Sequence, residues 1–161
     1  MRPKVSIVIP IFKAEAYIER CARSLFEQSL DNIEYIFVND CSPDNSMYLL
    51  DKVLGDYPQR KEQVHIINHS QNLGAAKARE VGIKVATGEY IIHCDSDDWV
   101  ERNMYQTMYE EVQNHNADIV ICDFYETAGI RHKHITQHID TKSDLLRGLL
   151  NTSIKGNICN K

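Results

Sequence analysis

No run of about 18 apolar residues, the length a membrane-spanning helix needs, occurs anywhere in the 161-residue chain. The apolar opening VSIVIPIF is too short for the core of a secretion signal with its cleavage site, and Pro10 interrupts it. Cysteine is present without a pattern. Cys21, Cys41, Cys94, Cys122 and Cys159 make an odd number with no C-x-x-C pair. Cys21, Cys94 and Cys122 sit in apolar segments, where a free thiol packs as a small hydrophobe. That usage predicts a reduced, cytoplasmic setting, with the inner face of the membrane as its one variant. Excess basic charge is missing too: the formal net charge is −5, which opposes a nucleic-acid binder held by phosphate contacts. There is no G-x-x-x-x-G-K-[ST] loop and no glycine-rich turn after the first apolar run, so the common phosphate and dinucleotide cradles are excluded. Repeats, linkers and low-complexity segments are also absent.

What remains is ordinary for one globular domain, with 43% apolar and 25% charged residues. Val5–Pro10 is a β-branched run that predicts a strand buried on both faces. Ile18, Cys21, Ala22, Leu25 and Phe26 recur at helical spacing. Ile33–Asn39 predicts a second strand, ended by a polar turn. Leu50, Val53, Leu54 and Tyr57 mark a second helix, stopped by Pro58. Val64–Asn68 predicts a third strand. An alanine-rich helix follows, from near Gly74 to a C-cap at Gly88. Tyr90–Cys94 is the fourth strand, Met104 to His115 a helix, and Asp118–Cys122 the fifth strand. Tyr125–His138 reads as a hairpin and Thr141–Leu150 as a short helix. Strands alternating with helices imply an α/β fold with a doubly wound, mostly parallel sheet. Ligands bind such sheets beyond the carboxyl ends of the strands, where Asp40, Asn72, Asp95 and Asp97 fall.

The most telling stretch is IIHCDSDDWV, in which Asp95, Asp97 and Asp98 crowd three carboxylates directly after a buried run. Two such charges about 5 Å apart repel by roughly 3 kcal/mol at an effective dielectric near 20. A solvated turn capping the next helix is the bland explanation. Three acids at the end of a parallel strand, flanked by Ile92 and Trp99, favour a divalent cation with hard oxygen ligands. Mg²⁺ or Mn²⁺ takes one or two protein carboxylates and fills its shell with water and phosphate, so a metal–diphosphate site is expected. An EF-hand is excluded, because it needs a ligand at Trp99, glycine at Val100 and glutamate at Gln106. The set His132, His134 and His138 has no periodicity that puts it on one face and is expected to be solvated hairpin. Asp118, Asp123 and Glu126 read as strand-end and turn residues.

Four blocks in order resemble the family 2 glycosyltransferases, which have the GT-A fold. DSDDW resembles their DxD-type motif. Pro10-Ile11-Phe12-Lys13-Ala14-Glu15 resembles P-x-Y-N-x-E, with Phe12 for Tyr and Lys13 for Asn. Val38–Asp44 resembles V-D-D-G-S-x-D, with Asn39 and Cys41 as departures. Asn72–Arg79 resembles N-x-G-x-x-x-A-R, with Glu80 next where Asn is usual. The resemblance runs from about Lys4 to Cys122.

The resemblance implies an inverting transfer from a nucleotide-diphosphate sugar, UDP-linked, to a glycan or lipid-linked acceptor in polysaccharide biosynthesis. Its donor-binding residues carry over to Pro10, Ile11, Phe12, Glu15 and Asp40, the last accepting the uracil imide N–H. They continue with Asn72 and Gly74, then Lys77 and Arg79 near ribose and phosphate, and Ser96 in the acidic loop. Asp97 is the implied metal ligand, with Asp95 on ribose or metal and Mg²⁺ or Mn²⁺ as the cofactor. For Lys77 a solvated helix face is an equal reading. The family's catalytic base follows a segment resembling Ile154–Lys161, where this chain stops, so the base is expected beyond Lys161. Residues 1–123 are then the nucleotide-sugar-binding core and 124–161 the start of an acceptor-side region within a single domain. Two other classes are weighed. A sugar-phosphate nucleotidyltransferase needs a glycine-rich loop where Pro10–Ala14 has none. A phosphoacceptor receiver collects its acids after its first and third strands, not its fourth.

Overall fold

Strand β1 (Val5–Ile11) is buried along its whole length and lies at the centre of the sheet. Its β-branched run has apolar partners on both faces. Val5, Ile7, Ile9 and Ile11 join the larger core, while Val8 joins a smaller one on the opposite side. The computed structural model describes residues 2–128, 131–137 and 157–160. β1 pairs in parallel with β2 (Ile33–Asn39) and with β4 (Tyr90–His93), and β2 pairs in parallel with the edge strand β3 (Val64–Asn68). Beyond β4 comes β8 (Asn157–Asn160), antiparallel to it, and then β5 (Ile119–Ile121), antiparallel to β8. The order is β3-β2-β1-β4-β8-β5, so β5 runs parallel to β4 with β8 inserted between them. β6 (Phe124–Ala128) and β7 (Arg131–Ile135) form a separate antiparallel pair.

Helices cover both faces. The larger core takes the stripe Ile18, Cys21, Ala22, Leu25 and Phe26 of α1 (Ile18–Phe26), with Leu50 and Val53 of α2 (Ser46–Asp56). Tyr105, Met108 and Val112 of α4 (Met104–His115) complete it. The smaller core sets Ala78 and Ala86 against Val8, Ile36 and Val38. There α3 (Ala75–Val85) lies so close to the sheet that a Cβ on Gly82 would sit 2.3 Å from Val8 Cγ1. This contact holds the start of α3, and the loop before it, over the carboxyl ends of β1 and β2.

The expected elements are present with some boundary corrections. β2 and β3 have their expected limits, while β4 ends at His93 and β5 is shortened at both ends. α3 ends at Val85, and Gly88 is not its cap. Instead Gly88 lies flat against β1, donating its N–H to Ser6 Oγ at 2.8 Å where a side chain would collide. Pro58 ends the second helical segment and opens a short 3-10 turn, Pro58–Gln63. From that turn the buried Arg60 guanidinium donates to the carbonyls of Phe26, Gln28 and Asp31 at 2.7–3.1 Å, tying down the chain after α1. The hairpin expected over Tyr125–His138 is the β6–β7 pair. His138 and the helix expected over Thr141–Leu150 lie outside the described residues. Among the described residues no helix is long and apolar enough to cross a membrane.

Candidate functional site

A cleft opens where β1 parts from β4. The two strands pair only as far as Val8 and His93, and the Cys94 N–H closes the seam on the Val8 carbonyl at 3.1 Å. Pro10 has the same parity as Val8, so its ring nitrogen faces the side from which β4 has already departed. A proline is tolerated in this central strand for that reason. Between β1, whose connection runs toward β2, and β4, whose connection runs the other way toward β5, the carboxyl ends leave a crevice of about 410 Å³. Pro10, Ile11, Phe12, Asp40, Asn72, Gly74, Arg79, Asp95, Ser96 and Asp97 line it, together with Lys13, Ala14, Tyr17 and Ala75. Of the residues expected at a donor site, all but Glu15 and Lys77 line this cleft.

Glu15 instead helps lock two sequence blocks together. Its carboxylate accepts from the backbone N–H and side-chain amide of Asn45 at 3.2 and 2.9 Å. In return Asp44 accepts from the Glu15 N–H at 2.9 Å and from the hydroxyls of Ser42 and Ser46 at 2.6 Å. Those hydroxyls in turn accept the N–H groups of Lys13 and Ala14. Burial pushes the Asp44 carboxyl up, but these donors outweigh it and hold the group at about 2. The turn after β2 therefore grips the turn after β1. Both turns contain a left-handed residue, Cys41 at φ 57° and Lys13 at φ 52°.

Asp40 stands at the junction and is only 2% exposed. Its Oδ1 accepts from the Leu73 N–H and from His69 Nδ1, each at 2.8 Å, and its Oδ2 accepts from the Gly74 N–H at 2.8 Å. Burial raises its pKa, but these contacts more than offset burial and hold the carboxyl below its ordinary value. A single carboxylate thus shapes the 69–74 loop. Gly74 closes that loop at φ 86°, a conformation suited to glycine, and α3 begins at the next residue.

In the acidic loop, Asp95, Asp97 and Asp98 each bring one carboxylate oxygen within 4.8 Å of the others. An octahedral cation with bonds of about 2.1 Å spaces its ligand oxygens about 3–4.2 Å apart. Drawing these oxygens together to that spacing would seat it, and a set of hard oxygens suits Mg²⁺ or Mn²⁺. Part of the repulsion is already met by the protein, because the Arg79 guanidinium pairs with Asp95 Oδ1. Arg20 of α1 donates to the Asp97 carbonyl at 3.2 Å and braces the loop from the other side. Lys77 faces away and pairs with Glu80 at 2.8 Å on the exposed surface of α3, the bland alternative weighed for it.

The sequence reading missed His69, Lys13, Ala14, Tyr17 and Ala75. The available signal was position, since each follows or closes a strand end that the strand assignments already located. A larger open groove, about 650 Å³, lies between α1 and the Trp99–Arg102 segment and holds none of the expected donor residues. Asp123 is taken up by the hairpin, accepting the Gln137 N–H at 2.8 Å and pairing with His134 at 3.2 Å.

Known proteins resemble this chain in sequence and in fold. The chain is 36% identical over 155 residues to the glycosyltransferase EpsJ of Bacillus subtilis, covering 96% of this chain and 44% of EpsJ. It thus spans less than half the length of that relative. Its fold matches the crystal structure of S. aureus TarS 1-349 in complex with UDP at a TM-score of 0.70 and 24% identity. That match covers 80% of this chain and 37% of TarS 1-349. The mannosyltransferase PcManGT of Pyrobaculum calidifontis, in complex with GDP-Man and Mn²⁺, matches at a TM-score of 0.67 and 22% identity. It covers 76% of this chain and 36% of PcManGT. The sheet and its helices have the GT-A architecture expected from the sequence. Residues 6–158 match glycosyl transferase family 2, and with that profile and the EpsJ likeness the chain belongs to that family.

Proposed function

We propose that the chain forms the donor side of an inverting, metal-dependent glycosyltransferase that moves a sugar from UDP to a glycan or lipid-linked acceptor. The observation that carries this reading is the convergence on one cleft of a buried acceptor, Asp40, and of Asp95 and Asp97 from the acidic cluster Asp95-Asp97-Asp98. TarS with bound UDP and PcManGT with GDP-Man and Mn²⁺ share the fold, which supports a nucleotide-sugar donor with a divalent cation.

The cleft residues have separate tasks under this proposal. Phe12, 44% exposed at the mouth, offers an aromatic face to a base. Asp40 still has acceptor capacity on Oδ2 for the uracil imide N–H. Arg79 supplies a planar cation of the kind that suits phosphate. Asp97 and Asp95 would hold Mg²⁺ or Mn²⁺, which when bound stabilises the leaving diphosphate as a Lewis acid. Glu15 acts indirectly, by bracing the turn beside Lys13 and Ala14. The base that takes the acceptor hydroxyl's proton is assigned to none of the cleft carboxylates. Asp40 is buried under three donors, and Asp95 is paired with Arg79. We place the base after the Ile154–Lys161 segment, with the region from 124 onward on the acceptor side.

Calorimetry with UDP tests the proposal. Mn²⁺ is expected to tighten UDP binding at least about tenfold, and Asp97→Asn to abolish that enhancement without changing the fold by circular dichroism. A Mn²⁺ enhancement unchanged in the variant would show the acidic cluster to be only a turn.

A further inference from the structure

Among the described residues, two buried side-chain polar atoms have no hydrogen-bond partner, the Tyr105 hydroxyl and His69 Nε2. Tyr105 is a core residue of α4, but His69 stands directly against the candidate base-binding carboxylate. We propose that His69 is a positioning residue that leaves Asp40 a single open acceptor, and so makes the cleft select bases that present a ring N–H. This rests on the donor-binding reading of the cleft.

An ionised carboxylate only accepts, so the proton in the 2.8 Å contact with Asp40 Oδ1 sits on His69 Nδ1. The residue is also held through its backbone. Its own backbone N–H donates to the Asn39 carbonyl at 2.9 Å, and the side chain is only 9% exposed. A carboxylate has about four lone-pair sites. His69 and Leu73 occupy the two on Oδ1, and Gly74 takes one on Oδ2. One acceptor site on Oδ2 is left, on a residue that lines the cleft. The uracil imide is a donor that fits it. The matching position of cytosine is an acceptor and would leave two lone pairs facing each other. Without the imidazole N–H, Oδ1 regains an open site. The carboxylate can then turn or recruit water, and the discrimination is lost even where the loop survives.

The test measures affinities for UDP and CDP, each with Mn²⁺, in the wild type, His69→Phe and His69→Asn. Phenylalanine keeps bulk and removes the donor, whereas the asparagine amide puts an N–H near the position of Nδ1. The wild type should prefer UDP by about tenfold or more, as expected for a hydrogen bond to a charged acceptor. In His69→Phe the ratio should fall to near one, through loss of UDP affinity. His69→Asn should restore it to within about threefold of the wild type. An unchanged ratio in His69→Phe, or an equal loss for both nucleotides, would reduce His69 to a structural brace and overturn the proposal alone. A wild type that binds no nucleotide overturns the donor reading and this proposal with it. Should the Phe variant not fold, ¹⁵N spectra of wild-type imidazoles decide. A neutral Nδ1–H tautomer whose resonance moves with UDP but not CDP supports the assignment, and an Nε2–H tautomer or a silent resonance overturns it.

Discussion

Cys41 and Lys13 adopt left-handed backbone conformations, and they are also two of the positions where the sequence departs from its family's pattern of glycine and asparagine. An L-residue held there costs about 1–2 kcal/mol, which glycine avoids and asparagine lessens. The family pattern at these positions is thus a backbone requirement, because the interlocked turns need sharp reversals after β1 and β2. Cys41→Gly relieves the strain and gives up only a weak S–H contact to the Ser70 carbonyl at 3.9 Å. Allowing for glycine's unfolded-state entropy, the variant should gain about 0.5–1 kcal/mol and melt about 1–4 °C higher by calorimetry. A lower melting temperature would mean that the cysteine side chain contributes more than its backbone costs.

The site depends on how closely α3 lies on β1, and Gly82 is where that closeness can be measured. Alanine favours a helix over glycine by about 1 kcal/mol. Here its methyl would meet Val8 at 2.3 Å, and overpacking costs about 1–3 kcal/mol. Gly82→Ala should therefore be destabilising by about 1 kcal/mol in denaturant unfolding, but neutral or stabilising in a Val8→Ala background. Additive effects would mean that helix and strand adjust freely. Hydropathy period made most elements legible in the sequence, since the α1 stripe and the limits of β2 and β3 follow from side-chain spacing alone. The Gly82 contact was not legible, because periodicity cannot show how near a helix approaches its sheet. Nor was β8, whose Asn157–Asn160 run is too short and polar to alternate and enters the sheet through long-range pairing. The buried role of Arg60 was hidden as well, because it depends on carbonyls about 30 residues earlier in the chain.

Across the whole molecule, a parallel sheet ordered β3-β2-β1-β4 brings the carboxyl ends of separate strands to one crevice, and each strand contributes a turn with its own chemistry. The chemistry was readable because short blocks carry it: the acids after β4, Asp40 after β2, Asn72 and Gly74 before α3. Interactions between blocks were not readable. Glu15 braces Asn45, Arg79 offsets the charge of Asp95, and His69 holds Asp40, all across long stretches of sequence. Together these turns are proposed to form one metal–nucleotide site. The most direct test is a crystal structure of the chain soaked with UDP and Mn²⁺, using the manganese anomalous signal. A manganese peak is expected about 2–2.4 Å from a carboxylate oxygen of Asp97, with the uracil ring N–H within hydrogen-bond distance of Asp40 Oδ2. Manganese absent from the Asp95–Asp98 loop, or UDP seated instead in the groove between α1 and Trp99–Arg102, would contradict it.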